Sequence, residues 1–585
     1  MKALIRDAAT GLYLRFEDSR RLISASSVDG VWTAIEEAEA AREAGYWLAG
    51  FVAYEAAPAF DSALTVRPEI SGRLPLLCFG VFNAPSRLRF GTAPETGARP
   101  DLQPELDGEA YRERIAQILS GIREGDIYQV NLTHRLTGRS VLDPYGLFLR
   151  LARDNAATYA AYLDLGDGIH ICSASPELFF RHDGGRLTSR PMKGTLSRSE
   201  PRPPALLRDS EKDRAENLMI VDMVRNDMAR VSTPGSVRVP ECWTIEAYPT
   251  VWQMTSLVES HSRAPLSHVF RAMFPAASIT GAPKAAAMHF IRRLETLPRG
   301  VYTGSIGFAA PGGPAQFNVA IRTAVVDTRD DSLTYGVGGG VVADSTAEGE
   351  YEESLAKARV LTVAAPRFDL LETMRWEPAA GFLRLPLHLE RLQTSGEALG
   401  FVVNRPAIRR HLEESAEAFP AGALRVRLTV DRGGSPGVTW RLIEGDGFPD
   451  RACVTESPVC VPSSYPLLGH KTTRRELYEA LRATCPRADD VLMWNERGEM
   501  TESCVANLFV EMDGLLVTPP VTCGLLPGVL RGELLAAGRA REGVIPRSEL
   551  GRHPIWLGNS VRGLYPATLG ARRGVVPESV TGCRE

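Results

Sequence analysis

Gly336-Val337-Gly338-Gly339-Gly340-Val341-Val342-Ala343-Asp344-Ser345-Thr346-Ala347-Glu348-Gly349-Glu350-Tyr351-Glu352-Glu353-Ser354-Leu355-Ala356-Lys357 hands a strand over to a helix. Residues 301–342 read as successive strands with glycine turns, and Ser345-Thr346-Ala347-Glu348 has the form of a capping box. A helix is therefore expected from about residue 346. On it Glu350, Glu353 and Lys357 recur at i, i+3 and i+7, which places them on one face. Two carboxylates one turn apart either form a solvated charged face or bind a hard cation such as Mg²⁺.

Working outward, a second helix is expected over Ala215–Asp227, where Met219, Ile220, Met223 and Val224 supply an apolar face. Burying that face brings Glu216 close to the interior, where it needs either an ion-pair partner or a metal. The spacing of Ile115, Ile118, Leu119 and Ile122 predicts another helix over Tyr111–Ile122, and Leu76–Phe82 reads as a strand. The glycine-rich runs Thr280-Gly281-Ala282-Pro283-Lys284 and Gly336–Gly340 are either tight turns or backbone cradles for carboxylates. Neither matches a P-loop or a dinucleotide fingerprint.

With 585 residues the chain exceeds one core, and two to four domains are expected. A net charge of −4 and the absence of a Lys/Arg run argue against nucleic acid. No window holds the roughly 20 apolar residues of a membrane helix, and Met1–Asp7 lacks the apolar stretch of a secretory signal. Nine scattered cysteines without CxxC or zinc-like spacing are expected to be reduced thiols of a cytoplasmic protein.

Only six of the 67 basic residues are lysine: Lys2, Lys193, Lys212, Lys284, Lys357 and Lys471. Arginine stays protonated, whereas a desolvated ammonium can lose its proton and act as a nucleophile or Schiff base. Pro191-Met192-Lys193-Gly194-Thr195 and His470-Lys471-Thr472-Thr473 are the two settings that point to such chemistry. The chain thus reads as two enzymes in series, each with a reactive amine.

Ser175-Pro176-Glu177-Leu178-Phe179, Pro191 to Thr195, Glu216 to Asp227, Ser278 to Lys284, Tyr302-Thr303-Gly304-Ser305-Ile306-Gly307, Ile321-Arg322-Thr323 and Gly338 to Lys357 together resemble the chorismate-utilising enzymes. The blocks run in family order over roughly residues 110–360. Lysine at 193, where the anthranilate and isochorismate enzymes usually have alanine, is similar to the aminodeoxychorismate synthase component I branch. The resemblance implies that the Lys193 amine attacks C2 of chorismate as the C4 hydroxyl departs, and that ammonia then enters at C4. It implies Glu177 as general acid/base, and Glu216, Glu350 and Glu353 as ligands of Mg²⁺. It also implies a substrate site of Thr280, Gly281, Ala282, Tyr302, Arg322, Gly338, Gly339, Gly340 and Lys357. One departure is Trp252-Gln253-Met254-Thr255-Ser256, where anthranilate synthases carry histidine near Gln253.

In the second half, Leu424–Val430 is strand-like and alternates with helical pieces, as in an α/β enzyme. His388-Leu389-Glu390-Arg391-Leu392, Lys471, Met500–Phe509 and Leu526-Pro527-Gly528-Val529-Leu530-Arg531 resemble the fold-type IV pyridoxal-phosphate enzymes over about 368–567. This group includes aminotransferases and aminodeoxychorismate lyase. The resemblance implies that Lys471 holds pyridoxal 5'-phosphate covalently and Glu502 pairs with its ring nitrogen. Arg391, the amides of Val529 and Leu530, and Ser560-Val561 would bind its phosphate. The usual opening strand is shortened, and only Phe368-Asp369-Leu370-Leu371-Glu372-Thr373-Met374-Arg375 is similar to it.

The expected fold class is thus a two-part α+β and α/β chain. A chorismate-utilising fold, with large β-sheets packed against helices, precedes a fold-type IV PLP-dependent fold. Expected boundaries are 1–105 for the N-terminal part of the synthase module, 106–362 for the chorismate-binding catalytic domain, 363–367 for a linker and 368–585 for the lyase-like domain. The two resemblances converge on 4-aminobenzoate, a folate precursor: amination of chorismate, then elimination of pyruvate. Anthranilate synthase component I fused to an aminotransferase, and a synthase with a non-catalytic C-terminal scaffold, are the competing readings. No glutaminase segment is seen, so a separate glutamine amidotransferase subunit is expected to supply ammonia. Fold-type IV relatives are usually dimers, which implies a homodimer through the PLP domain.

Overall fold

The structure is a computed structural model that describes residues 1–68, 73–88, 100–140, 143–155, 157–197, 205–248, 251–362, 368–443, 451–463 and 465–570. The expected linker at 363–367 lies outside the described residues. The chain divides into two compact units, the first covering Met1–Arg367 and the second beginning at Phe368.

Among the described residues the first unit holds two ten-stranded sheets. One runs Gly281–Ala282, Gln129–Arg139, Ser332–Val341, Thr323–Asp327, Ile169–Ser175, Tyr159–Asp164, Lys2–Arg6, Tyr13–Phe16 and Ser86–Leu88, with Leu102–Pro104 beside Gln129–Arg139. The other runs Met192–Ser197, Val251–His261, Arg186–Arg190, Leu178–Asp183, Ala315–Val319, Ser305–Ala309, Trp47–Val52, Leu77–Phe82 and Arg21–Ala25, with Arg238–Ala247 beside Val251–His261.

Strand alternation explains why both faces of the second sheet are apolar. Along Trp47–Val52, Ala49 and Phe51 join a core shared with Ala3, Ile5, Phe16 and Ile171 of the first sheet. Leu48 and Val52 point the other way, into a core with helices Val28–Glu43 and Leu266–Met273. The first sheet's opposite face is covered by Leu147, Phe148 and Leu151 of helix Pro144–Asp154 and by Ala358 and Leu361 of helix Ala347–Thr362. Each large side chain taken fully out of water there contributes roughly 1.5–3 kcal/mol.

Local sequence rules set the element ends. The helix expected over Tyr111–Ile122 spans Gly108–Glu124, because Asp107 accepts from the Ala110 amide and Gly125 closes it at φ +83°. The helix expected from 346 spans Ala347–Thr362, and that expected over Ala215–Asp227 spans Glu211–Ala229. Strand Leu424–Val430 has the bounds read from its sequence.

A buried ion pair ties the first unit's site-forming segments together. Arg299 is 5% exposed and pairs with Glu295 at 2.6 Å. It also donates to the carbonyls of Asn131 and Ile279. Glu295 in turn accepts from the Thr133 amide and hydroxyl. Removing one partner of so buried a pair costs about 3–5 kcal/mol, because the other is left charged without water.

The second unit contains a four-stranded antiparallel sheet, Gly381–Phe382, Leu370–Glu377, Leu424–Val430 and Pro436–Leu442. Its eight-stranded sheet runs Met500–Ser503, Asp490–Trp494, Ala452–Glu456, Gly563–Leu569, Ile555–Asn559, Asn507–Met512, Leu515–Thr518 and Ala540–Glu542. Among the described residues no helix is long and apolar enough to cross a membrane.

Candidate active sites

Lys193 lies on strand Met192–Ser197, and its amine reaches the glycine run of the first sheet. A methyl group added at Gly340 would lie 2.3 Å from Lys193 Nζ and 2.5 Å from Gln129 Nε2. The two side-chain ends thus approach the bare Cα of Gly340, and a side chain there would have to displace them. Nζ stands 3.6 Å from Glu216 Oε2. It also acts electrostatically on Glu177, Glu350 and Glu353. Four carboxylates picked out in the sequence thus surround one lysine.

Those carboxylates differ in state. Burial pushes Glu177 up to about 7, against the opposing pull of a 2.6 Å hydrogen bond from Ser278 and the nearby Lys193 charge. Burial also raises Glu350, which accepts from Ser345 at 2.7 Å and lies behind Gly339. Glu353 is lowered, first by Lys357, whose Nζ is 2.9 Å away and also donates to the Gly338 carbonyl. The site thus combines a carboxylic acid that can hold a proton near neutral pH with carboxylates paired to cations.

Glu216, Glu350 and Glu353, the residues expected to serve Mg²⁺, each have a partner within the protein. Among the described residues no three His, Cys, Asp or Glu side chains stand close enough to hold a cation alone. Lys193, Ser345 and Lys357 each take up one of the three. The donor set still suits Mg²⁺, which takes hard oxygens and is usually held by one or two carboxylates with substrate and water completing the shell.

Thr280 is buried and turns its hydroxyl onto the Ala276 and Ala277 carbonyls. Gly281 and Ala282 pair with Val130 and Gln129, next to the strand that pairs with Gly338–Gly340. At Gly281, φ is +146° and a methyl group would meet the Gln129 carbonyl at 2.1 Å, so only glycine fits. The Tyr302 ring packs on Gly336, and burial raises its hydroxyl's pKa. Arg322 has φ +50° and donates to Asn155 at 2.5 Å.

Gln129 is missing from the residues read as functional, yet it is fully buried beside Lys193. Among the described residues neither of its amide atoms has a hydrogen-bond partner. It follows the exposed Tyr128, and only the long-range pairing of strand Gln129–Arg139 reveals its place.

In the second unit Lys471 is lowered to about 8, first by burial and then by Arg391 and Arg475, against Glu372 and Glu502. Burial raises Glu502 to about 8, against the opposing pull of the Leu526 amide and Lys471. Asn507 and Tyr478 also donate to the Glu502 carboxylate. Arg391 uses Nε and Nη2 on Glu372 and Nη1 on the Pro527 carbonyl. Further guanidinium N–H groups remain for an anion. Burial pushes Glu372 up, but Arg391 and His388 outweigh it and hold the carboxylate at about 2. His388 Nδ1 donates to Glu372 Oε2 at 2.6 Å, and its Nε2 meets Ser560 Oγ at 2.7 Å.

Helix Val529–Ala536 starts at Gly528 without a side-chain cap, so the first-turn amides of Val529 and Leu530 remain for an anion. The Val561 amide donates to Asn559 Oδ1 at 3.1 Å in a local turn beside Ser560. These groups fit pyridoxal phosphate: a buried amine of lowered pKa, a buried carboxylate and an anion-binding helix start. Glu372, which fixes Arg391, was legible only as a polar residue between apolar Leu370 and Met374 on one strand face.

The two halves of the chain each match a known protein family. Residues 6–363 match the chorismate binding enzyme family, and residues 369–569 match amino-transferase class IV. Aminodeoxychorismate synthase component 1 of Salmonella typhimurium is 42% identical over 254 residues, 42% of this chain and 55% of the relative. Anthranilate synthase component 1 3 of Haloarcula marismortui is 39% identical over 278 residues, 46% of this chain and 55% of the relative. The matched stretches span 30% to 58% of the length of the first curated relatives. The crystal structure of anthranilate synthase component I from Streptococcus pneumoniae TIGR4 shares the fold, with TM-score 0.52 and 24% identity over 62% of this chain and 92% of that one. Through residues 6–363 the chain belongs to the chorismate binding enzyme family, and a class IV aminotransferase domain follows over residues 369–569.

Proposed function

We propose that the chain makes 4-aminobenzoate in two steps, aminating chorismate in the first unit and eliminating pyruvate from the product in the second. The observation that carries this reading is Lys193 Nζ set against Gly340 and ringed by Glu177, Glu216, Glu350 and Glu353. A surface ion pair would not place the amine between the other sheet's glycine run and a buried glutamate.

In the first step the Lys193 nitrogen bonds to C2, both ring double bonds shift by one position and the C4–O bond breaks. Glu177, held near neutrality, gives its proton to the departing oxygen, which leaves as water. Ammonia then bonds to C4, both double bonds shift back, the C2–N bond breaks and Lys193 is released. The backbone near Gly281 and Gly339, together with Arg322 and Lys357, would hold the substrate carboxylates. Glu216, Glu350 and Glu353 are the groups available to Mg²⁺, which when bound neutralises substrate charge.

In the second unit Lys471, Glu502, Arg391, Ser560 and the amides of Val529 and Leu530 would hold pyridoxal 5'-phosphate. When bound, that group supplies an electron sink. Glu502 keeps a proton at the ring nitrogen, and Lys471, once displaced, carries the proton that elimination moves. A separate glutamine amidotransferase supplies ammonia, and the chain acts in the cytoplasm as a homodimer through its second unit.

The direct test is product identity with chorismate, Mg²⁺, ammonium and pyridoxal phosphate, separated by chromatography. 4-Aminobenzoate is expected. Anthranilate would favour the reading suggested by the Haloarcula relative, and accumulating aminodeoxychorismate would make the second unit a scaffold.

The state of Glu177 gives a pH prediction. Its proton is present below about 7 and lost above, so the amination rate should fall as pH rises through that value. Glu177→Gln should remove this limb and roughly 10²–10⁴-fold of the rate. A pH profile unchanged in that variant contradicts the role.

Borohydride reduction of the loaded chain should add the cofactor's mass to the peptide holding Lys471, as read by mass spectrometry. Lys471→Ala should abolish that addition. Its persistence on another lysine would rule out the assignment.

A further inference from the structure

The strand that carries Lys193 is irregular at that residue. Met192 pairs with Thr255 and Thr195 with Gln253, so Lys193 and Gly194 together oppose the single residue Met254. This is a β-bulge, which shifts the alternation by one and re-aims a side chain. Thr255 and Gln253, two apart, share a face. Met192 and Thr195 therefore share one too, although they are three residues apart. The extra residue is accommodated by Gly194 at φ +89°, where a methyl group would stand 3.2 Å from Asp213 Cβ.

Gln253 closes around this bulge with both ends of its amide. Nε2 donates to the Gly194 carbonyl at 2.8 Å, and Oε1 accepts from the Thr195 hydroxyl at 3.0 Å. The side chain is 7% exposed, so water cannot readily replace either bond. A bulge removes ladder hydrogen bonds, and here one side chain ties its two C-terminal residues to the neighbouring strand.

We propose that Gln253 is a positioning residue for the amination step: its bidentate clamp fixes the Lys193-Gly194 bulge and so aims the Lys193 amine at the substrate. The proposal rests on the reading of Lys193 as the nucleophile. The amide suits this task because it offers a donor and an acceptor side by side. A misplacement of about 1 Å at a reacting atom can cost roughly 100-fold in rate, so a clamp with no substrate contact can still govern kcat.

The test uses the full chain with chorismate, Mg²⁺ and ammonium. Gln253→Met keeps most of the volume and removes both hydrogen bonds. It should lower kcat for amination by about 10–100-fold while KM for chorismate stays within about threefold. Thr195→Val, which removes one bond, should show a smaller loss of the same kind. In a Lys193→Ala background, Gln253→Met should add no further loss, because the clamp acts only through the lysine.

A second readout does not depend on turnover. Lys193 acetylation by limiting acetic anhydride, mapped by peptide mass spectrometry, should be strongly suppressed by saturating chorismate in the parent chain and far less in Gln253→Met. Wild-type kcat together with wild-type protection in Gln253→Met overturns the proposal. So does a parallel loss of kcat, KM and melting temperature with protection intact, which marks a merely structural residue. If Lys193→Ala turns over normally, the nucleophile reading fails, and the protection experiment still decides whether Gln253 places the lysine.

Discussion

The Lys193 amine lies in the space that a methyl group at position 340 would take, so the two residues are held in one close approach. That constraint joins the two sheets of the first unit, since Gly340 lies on strand Ser332–Val341 of one and Lys193 on strand Met192–Ser197 of the other. Much of the surrounding structure holds the two edges in that relation. Asn131, opposite Gly340, and Thr133, opposite Gly338, are fixed by Arg299 and Glu295. The same arginine holds the Ile279 carbonyl, just ahead of Thr280 and Gly281. Two stretches distant in sequence are thus bound to one buried cation.

The two units use a common electrostatic device on different scaffolds. Each places a lysine near buried carboxylates, and in each one carboxylate is raised by burial while another is lowered by a cation. Glu177 stands at about 7 while Glu353 is lowered by Lys357. Glu502 stands at about 8 while Glu372 is held at about 2 by Arg391 and His388. Desolvation supplies groups that exchange protons near neutral pH, and ion pairing supplies groups that stay charged.

Elements set by local spacing were legible in the sequence. The face formed by Glu350, Glu353 and Lys357 follows from helical periodicity, and the structure places all three on helix Ala347–Thr362. The partners of those residues were not legible, because Ser345 and the Gly338 carbonyl reach them through turns and sheet pairing. Gln129 and Glu372 were hidden for a related reason: a polar residue on a strand gains its meaning only when the strand's neighbours are known. Gln253 was noticed as a departure from histidine, but its clamp on the bulge depends on a pairing register that the sequence does not print.

If Lys193 bonds to the substrate, the protein incubated with chorismate and Mg²⁺ in the absence of ammonia should gain the mass of chorismate less one water, read on the intact chain. The gain should map to the peptide containing Lys193 and be lost when ammonium is added. Rapid amination by the same preparation with no such adduct at any time, or an adduct on another residue, would contradict that bond.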